Sequence, residues 1–148
     1  MMASACKTCV YLIGAGPGDP ELITVKGRRL LQAADVILHD HLIGPEILNL
    51  ARVGAEIVCV GKRAAAHTLP QEDINRLLID YARAGKTVAR LKGGDCCLFG
   101  RGGEEAQACA AAGVPFEIVP GVTSALAAGS YAGIPPTHRD YTSDVAIV

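Results

Sequence analysis

The sequence predicts an α/β fold in which a five-stranded parallel sheet is flanked by helices, and two features carry that prediction. Five short apolar runs, each closed by glycine, proline or a polar residue, alternate with helical patterns along a 148-residue chain. Strands and helices alternating at this spacing build crossover-linked parallel strands. Glycines then crowd one junction: five fall between Gly93 and Gly103, just past the fourth run. In open parallel sheets ligands bind at the carboxyl ends of strands, and glycine lets main-chain N–H and C=O groups come close to them.

Taken in order, Val10 to Gly14 reads as a buried first strand, followed by the tight loop Gly14-Ala15-Gly16-Pro17-Gly18-Asp19-Pro20. A helix from about Thr24 to Ala34 places Ile23, Leu30, Leu31 and Ala34 on one face. Val36 to His39 is the second strand, with Asp40 at its carboxyl end, and Pro45 to Ala51 form a short helix opened by proline. Ile57 to Val60 make the third strand, ending in Gly61-Lys62-Arg63. Gln71 to Ala84 is an amphipathic helix with Pro70 at its start and Gly85 suited to its C-cap. Thr87 to Leu91 is the fourth strand, and the glycine-rich loop leads from it into a helix over Gly103 to Ala112. The acids Glu104 and Glu105 suit that helix's first turn, where the helix dipole favours them. Phe116 to Val119 is the fifth strand, and a helix of small residues spans Thr123 to Ala132. Residues 1–9 read as a flexible end, 10–136 as the α/β domain, and 137–148 as a linker. Asp144 to Val148 there resemble the opening strand of a second α/β domain, as though the chain were cut where that unit begins.

Composition narrows the function classes. Half the residues are hydrophobic and a fifth charged, which supplies a core and argues against disorder. The net charge of −1 lacks the basic footprint of a nucleic-acid binder. No apolar run approaches membrane-spanning length, and Met1 to Thr8 has no apolar core of the kind a secretory signal needs. The chain is therefore read as soluble and cytoplasmic, with no nucleic-acid or membrane partner. In a reducing compartment its six cysteines are not expected to form a disulfide framework. Cys6 and Cys9 have the spacing of half a zinc site, but no second C-x-x-C completes it. They read as free thiols on a frayed end, and no metal is expected.

Gly14-x-Gly16-x-Gly18 after the first strand invites a dinucleotide reading. Its third glycine comes one place early, however, and Pro17, Asp19 and Pro20 interrupt the run into the helix. Asp40 lies where a ribose-binding acid would sit. A nicotinamide enzyme and a Rossmann-like methyltransferase both stay open on these residues. Asp40 as a plain strand-end cap, and Lys62, Arg63, His138 and Arg139 as solvated charges, stay open too.

The ordered set of loops is more specific than any one of them. Gly14 to Pro20, Leu22-Ile23-Thr24-Val25-Lys26-Gly27, His39-Asp40-His41-Leu42 and Val60-Gly61-Lys62-Arg63 are followed by Lys92-Gly93-Gly94-Asp95 and Phe99-Gly100-Arg101-Gly102-Gly103-Glu104-Glu105. Val119-Pro120-Gly121-Val122-Thr123-Ser124 and Thr137-His138-Arg139-Asp140-Tyr141 complete the set. Together they resemble the tetrapyrrole methylase family over Val10 to Val148, and most closely its branch that methylates uroporphyrinogen III.

That resemblance implies an S-adenosylmethionine-dependent C-methylation of a tetrapyrrole on the route to sirohaem and cobalamin, weak or absent in a fragment that stops short of the family's second domain. Matched residue by residue, it implies that Pro17, Gly93, Gly94, Asp95, Leu98, Thr123 and Ser124 contact S-adenosylmethionine. It implies Asp40 as proton acceptor and Lys62 as proton donor. Eight substrate carboxylates would need basic partners, for which Arg63, Arg101, His138 and Arg139 are candidates. Members of the family are dimers, which implies a homodimer here. One departure stands out: after Gly-Gly-Asp the family usually has proline, whereas this chain has Cys96-Cys97. The change should loosen the cofactor loop, and it raises the prospect of a thiol exposed to alkylation.

Overall fold

In a computed structural model that describes residues 9–61 and 69–148, five strands form one sheet in the order β3-β2-β4-β1-β5. The strands are β1 (Val10–Gly14), β2 (Val36–His39), β3 (Glu56–Cys59), β4 (Val88–Lys92) and β5 (Phe116–Val119). Every pairing is parallel, with Val10 level with Val88 and Phe116, and Val36 level with Val88 and Glu56. β1, β2 and β4 are buried along their whole length, whereas the edge strands β3 and β5 are partly exposed. This is how central and edge strands of a sheet covered on both faces differ.

Alternate side chains go to opposite faces. Tyr11, Ile13, Ile37, Ala89 and Leu91 meet Leu30 and Leu31 of α1 (Val25–Ala33) and Ile47 of α2 (Pro45–Leu48). Val10, Leu12, Val36, Leu38 and Val88 meet Ile74, Leu78 and Ala82 of α3 (Gln71–Arg83) and Ala106 and Cys109 of α4 (Gly102–Ala111). Ile74, Leu78 and Ala82 fall four residues apart, so one stripe of α3 is buried. Leu78 alone is fully enclosed, a burial that stabilises by roughly 2–3 kcal/mol. Thr24 caps α1 by accepting a hydrogen bond from Gly27 N, and Gly85, at φ +80°, carries the chain out of α3. α5 (Ser124–Ala132) buries only Ala127. It and the residues after it leave Leu126, Tyr131, Ile134 and Tyr141 exposed.

Two expectations are corrected. Cys9, placed on a frayed end, is 5% exposed; its carbonyl accepts from Val88 N at 3.0 Å, so pairing with β4 already holds the chain there. Asp144 to Val148 form no strand, because a strand needs a neighbour to share its ladder and no described strand runs beside them. Glu105 stands in the first turn of α4 as expected, and it is also completely buried, for reasons that belong to the site. Strands β3 and β4 also begin one residue away from their expected starts, at Glu56 and Val88. Among the described residues, no helix is long and apolar enough to cross a membrane.

Candidate functional site

The strand order decides what the first glycine loop can do. In a dinucleotide-binding fold β2 lies beside β1, so an acid ending β2 reaches a ribose seated on the β1 loop. Here β4 lies between them, which sets the end of β2 two strand spacings, about 9–10 Å, from the end of β1. Asp40 and the Gly14 to Pro20 loop do not serve one nucleotide in that way.

The β1 loop is instead pressed against the loop after β4. Gly16 and Gly94 form a bridge, with Gly94 N donating to Gly16 O at 2.7 Å and Gly16 N donating to Gly94 O at 3.1 Å. The loop after β5 closes in as well. A Cβ on Gly121 would sit 2.3 Å from Gly94 O, and one on Gly14 would sit 2.6 Å from Gly121 N. Side chains cannot exist at these positions, so three main chains meet at the carboxyl ends of β4, β1 and β5. Asp95 staples the contact: its Oδ1 accepts from Cys97 N at 2.8 Å and its Oδ2 from Gly121 N at 2.9 Å. Both oxygens are thus engaged by the protein, so Asp95 shapes the main-chain cradle before it contacts any ligand.

The expected cofactor residues divide around this junction. Gly93 and Leu98 face a cleft of about 470 Å³ that also contains Asp40, His41, Arg90, Lys92 and Arg101. Pro17 and Ser124 line a second hollow on the other side, with Tyr131. Gly94, at φ +64°, lies between the two, and a Cβ there would sit 3.6 Å from Ser124 N and Oγ. Thr123 caps α5, its Oγ1 accepting from Ala125 N at 3.4 Å.

Beneath the cleft lies a buried charge cluster that sequence reasoning missed. Arg90 and Lys92, two apart on β4, point to the same face and are 2% and 4% exposed. Glu105, from the first turn of α4, meets both: Arg90 Nε donates to its Oε1 at 2.9 Å, Lys92 Nζ at 3.0 Å, and Gln71 Nε2 of α3 at 3.3 Å. Arg90 Nη2 reaches on to Asp40 Oδ1 at 2.6 Å. Burial disfavours the guanidinium charge, but Glu105 and Asp40 outweigh that effect and hold Arg90 more firmly protonated than a free arginine. Alternating cations in the otherwise apolar Val88-Ala89-Arg90-Leu91-Lys92 were the available signal, because a charge on a central strand is buried only with partners.

Of the remaining expected residues that the structure describes, Arg101 lines the cleft and His138 and Arg139 do not. Arg101, in the left-handed region at φ +58°, is gripped by Glu104 through two 2.7 Å contacts on the surface. His138 and Arg139 are exposed; His138 bonds locally to Thr142 and stacks with Tyr141 at 4.6 Å, and the described cleft lining ends at Arg101. Lys62 and Arg63 lie outside the described residues. The thiol next to the cradle is also unlike the expectation. Cys96 is fully buried, and that burial pushes its thiol up to about 12, which leaves it inert at neutral pH; Cys97 is the exposed member of the pair. Among the described residues, no group of three His, Cys, Asp or Glu side chains is placed to hold a metal ion.

Residues 9–146 match the sequence model of the Tetrapyrrole (Corrin/Porphyrin) Methylases. A siroheme synthase of Chromobacterium violaceum is 60% identical over 139 residues, 94% of this chain and 30% of the relative. Siroheme synthase 1 of Yersinia enterocolitica is 58% identical over the same share of this chain, and 29% of its own length is matched. The fold is shared with a uroporphyrin-III-C-methyltransferase of Thermus thermophilus, at TM-score 0.81 and 52% identity over 91% of this chain and 57% of that one. A form of the Thermus thermophilus enzyme complexed with S-adenosylhomocysteine superposes at TM-score 0.73 and 51% identity, over 88% of this chain and 50% of that one. A cobalt precorrin-4 methyltransferase superposes at 0.78 with 40% identity, over 90% and 54%. The chain thus spans just under a third of the siroheme synthases it matches, and rather more than half of the first of these solved methyltransferases.

Proposed function

The chain belongs to the tetrapyrrole methylase family, and from that membership we propose that it carries the N-terminal α/β unit of a uroporphyrinogen-III C-methyltransferase. In this reading a methyl group passes from S-adenosylmethionine to pyrrole carbons of uroporphyrinogen III, towards precorrin-2. The observation that supports it best is the bare main-chain junction of Gly14, Gly94 and Gly121. A sulfonium donor carries its own positive charge, which main-chain carbonyls suit; the cations nearby, Arg90, Lys92 and Arg101, are each paired with a carboxylate. The residues present fit that group. Gly93 and Gly94 would hold it through main chain, with Leu98 on one side and Pro17, Thr123 and Ser124 on the other; Asp95 keeps the loops in register. When bound, the cofactor supplies the electrophilic methyl.

The chain's own contribution is orientation and proton handling. Alignment of donor and acceptor carbon supplies much of the rate. Asp40, at the rim of the cleft, is the proposed proton acceptor: Arg90 fixes its Oδ1, leaving Oδ2 to face a substrate, and a carboxylate so placed takes the proton that the methylated ring sheds. Lys62 is the proposed proton donor. Arg63, Arg101, His138 and Arg139 are proposed partners for substrate carboxylates, Arg101 by exchanging its exposed Glu104 pair. We also propose a cytoplasmic homodimer, and weak turnover by the 148-residue chain alone. The likeness to a cobalt precorrin-4 methyltransferase favours a second reading, in which the acceptor is a precorrin.

The test separates cofactor from proton acceptor. Calorimetric titration with S-adenosylhomocysteine should give equal affinity for the native chain and Asp40→Asn. Transfer of labelled methyl to uroporphyrinogen III should be lost in the variant. Loss of S-adenosylhomocysteine affinity in Asp40→Asn would return Asp40 to the role of ribose ligand and sink the assignment. Transfer to a precorrin but not to uroporphyrinogen III would select the second reading.

A further inference from the structure

The charge cluster beneath the cleft balances only through its rim: Arg90 and Lys92 are matched by Glu105 inside and by Asp40 at the edge, and the second oxygen of Glu105 takes no hydrogen bond. Its buried members are Arg90, Lys92 and Glu105, two cations and one anion; Asp40, the fourth, sits at the rim with its side chain 28% exposed. Arg90 divides itself between Glu105 and Asp40, whereas Lys92 has a carboxylate contact with Glu105 alone among the described residues. No acid is hidden elsewhere, since all fifteen Asp and Glu of the sequence lie within the described residues. An ammonium has three N–H donors, and one hydrogen bond is made by Lys92 Nζ. The side chain is 5% exposed, yet Lys92 lines the cleft beside Gly93 and Arg101. A buried cation with spare donors facing a cleft calls for an anion, because buried charges are paired.

We propose that the Lys92 ammonium is an anion subsite at the floor of the cleft, taking one carboxylate of a polycarboxylate ligand; with the tetrapyrrole reading above, on which the ligand's identity rests, that group is an acetate or propionate arm of the macrocycle. Lys92 sits one residue before the Gly93-Gly94 cradle, so it anchors an arm of the acceptor directly beside the place where the methyl donor is held. Glu105 keeps the ammonium aimed at the cleft and compensates only part of its charge, which leaves the remainder for the ligand.

Two titrations of the 148-residue chain test this. In the first, sodium acetate is added while the Lys92 side-chain resonance is followed by NMR; a saturable shift is expected. In the second, uroporphyrin, the stable oxidised octacarboxylate, and its octamethyl ester are titrated by fluorescence. Lys92→Met should weaken uroporphyrin binding about tenfold or more, as loss of a charge-assisted hydrogen bond does. Lys92→Arg should retain most of the affinity, and the ester should not distinguish the three proteins. A Lys92→Met chain that folds and binds uroporphyrin as the native chain does would overturn the proposal. If that variant does not fold, a Lys92 resonance that acetate does not move overturns it. A saturable acetate shift with no porphyrin binding would support the anion subsite and overturn its assignment to an arm of the macrocycle in this chain.

Discussion

Replacing Glu105 by alanine strips Lys92 of its carboxylate contact and leaves Arg90 with the rim pair to Asp40. Glu105 Oε1 receives Arg90, Lys92 and Gln71 at 2.9, 3.0 and 3.3 Å, and Glu105 itself is completely buried. Removing one partner from a buried ion pair costs about 3–5 kcal/mol. Lys92→Met removes charge in the opposite sense: it leaves Arg90 and Glu105 matched one to one and fills a similar volume, so its cost should stay below about 2 kcal/mol. For a domain near 150 residues each kcal/mol moves the melting temperature by roughly 2–4 °C. Glu105→Ala should therefore melt roughly 6–20 °C below the native chain, and Lys92→Met should fall clearly less. Urea denaturation of both variants and of the double variant completes the cycle. A coupling of about 0.5–3 kcal/mol is expected between contacting residues. If Glu105→Ala costs no more than Lys92→Met, Glu105 is not the carboxylate on which the buried Lys92 charge depends, and the physical basis for an anion subsite at Lys92 is gone.

Adjacent glycines at the start of α4 should respond in opposite directions. A Cβ at Gly102 would lie 2.5 Å from Cys96 O, whereas one at Gly103 meets nothing within 4 Å. Gly102→Ala should destabilise by roughly 1–3 kcal/mol and Gly103→Ala stabilise by about 0.5–1 kcal/mol, both read from urea midpoints; the same sign for both would contradict the loop geometry. The cysteine pair should also divide. Iodoacetamide at pH 7.5 with peptide mapping should label Cys97 in the native chain and spare Cys96 and Cys109 until denaturant is added, and native-state labelling of Cys96 would show that its enclosure is wrong. Alkali should weaken the fold through the same buried thiols. Burial pushes Cys96 up to about 12 and Cys109 up to about 11 from 9.0, so above pH 9 the unfolded chain releases these protons first. The stability contribution is intact below pH 9 and is lost progressively towards pH 11 and 12. Cys96→Ala should flatten the fall of the urea midpoint between pH 8.5 and 10.5, and identical slopes would disprove this source of it.

Local chemistry made most of the strands, helices and loops legible in the amino acids. Apolar runs such as Val10 to Gly14, the stripe of Ile74, Leu78 and Ala82 at four-residue spacing, and breakers such as Pro70 and Gly85 act within a few residues of themselves. The glycine loops could likewise be identified as places of close main-chain approach, since absence of a side chain is visible in the letters. Strand order was not legible there, because it depends on which distant edges pair, and it is what moved β4 between β1 and β2 and separated Asp40 from the first loop. The triple approach of Gly14, Gly94 and Gly121, and the engagement of both Asp95 oxygens, exist only once β1, β4 and β5 lie side by side. The same holds for Glu105. In the chain it is one of two neighbouring acids at a helix start, chemically equivalent to Glu104. Folding sends Glu104 out to Arg101 in water and Glu105 inward to Arg90 and Lys92, because consecutive helix positions point about 100° apart and only one of those directions faces the sheet.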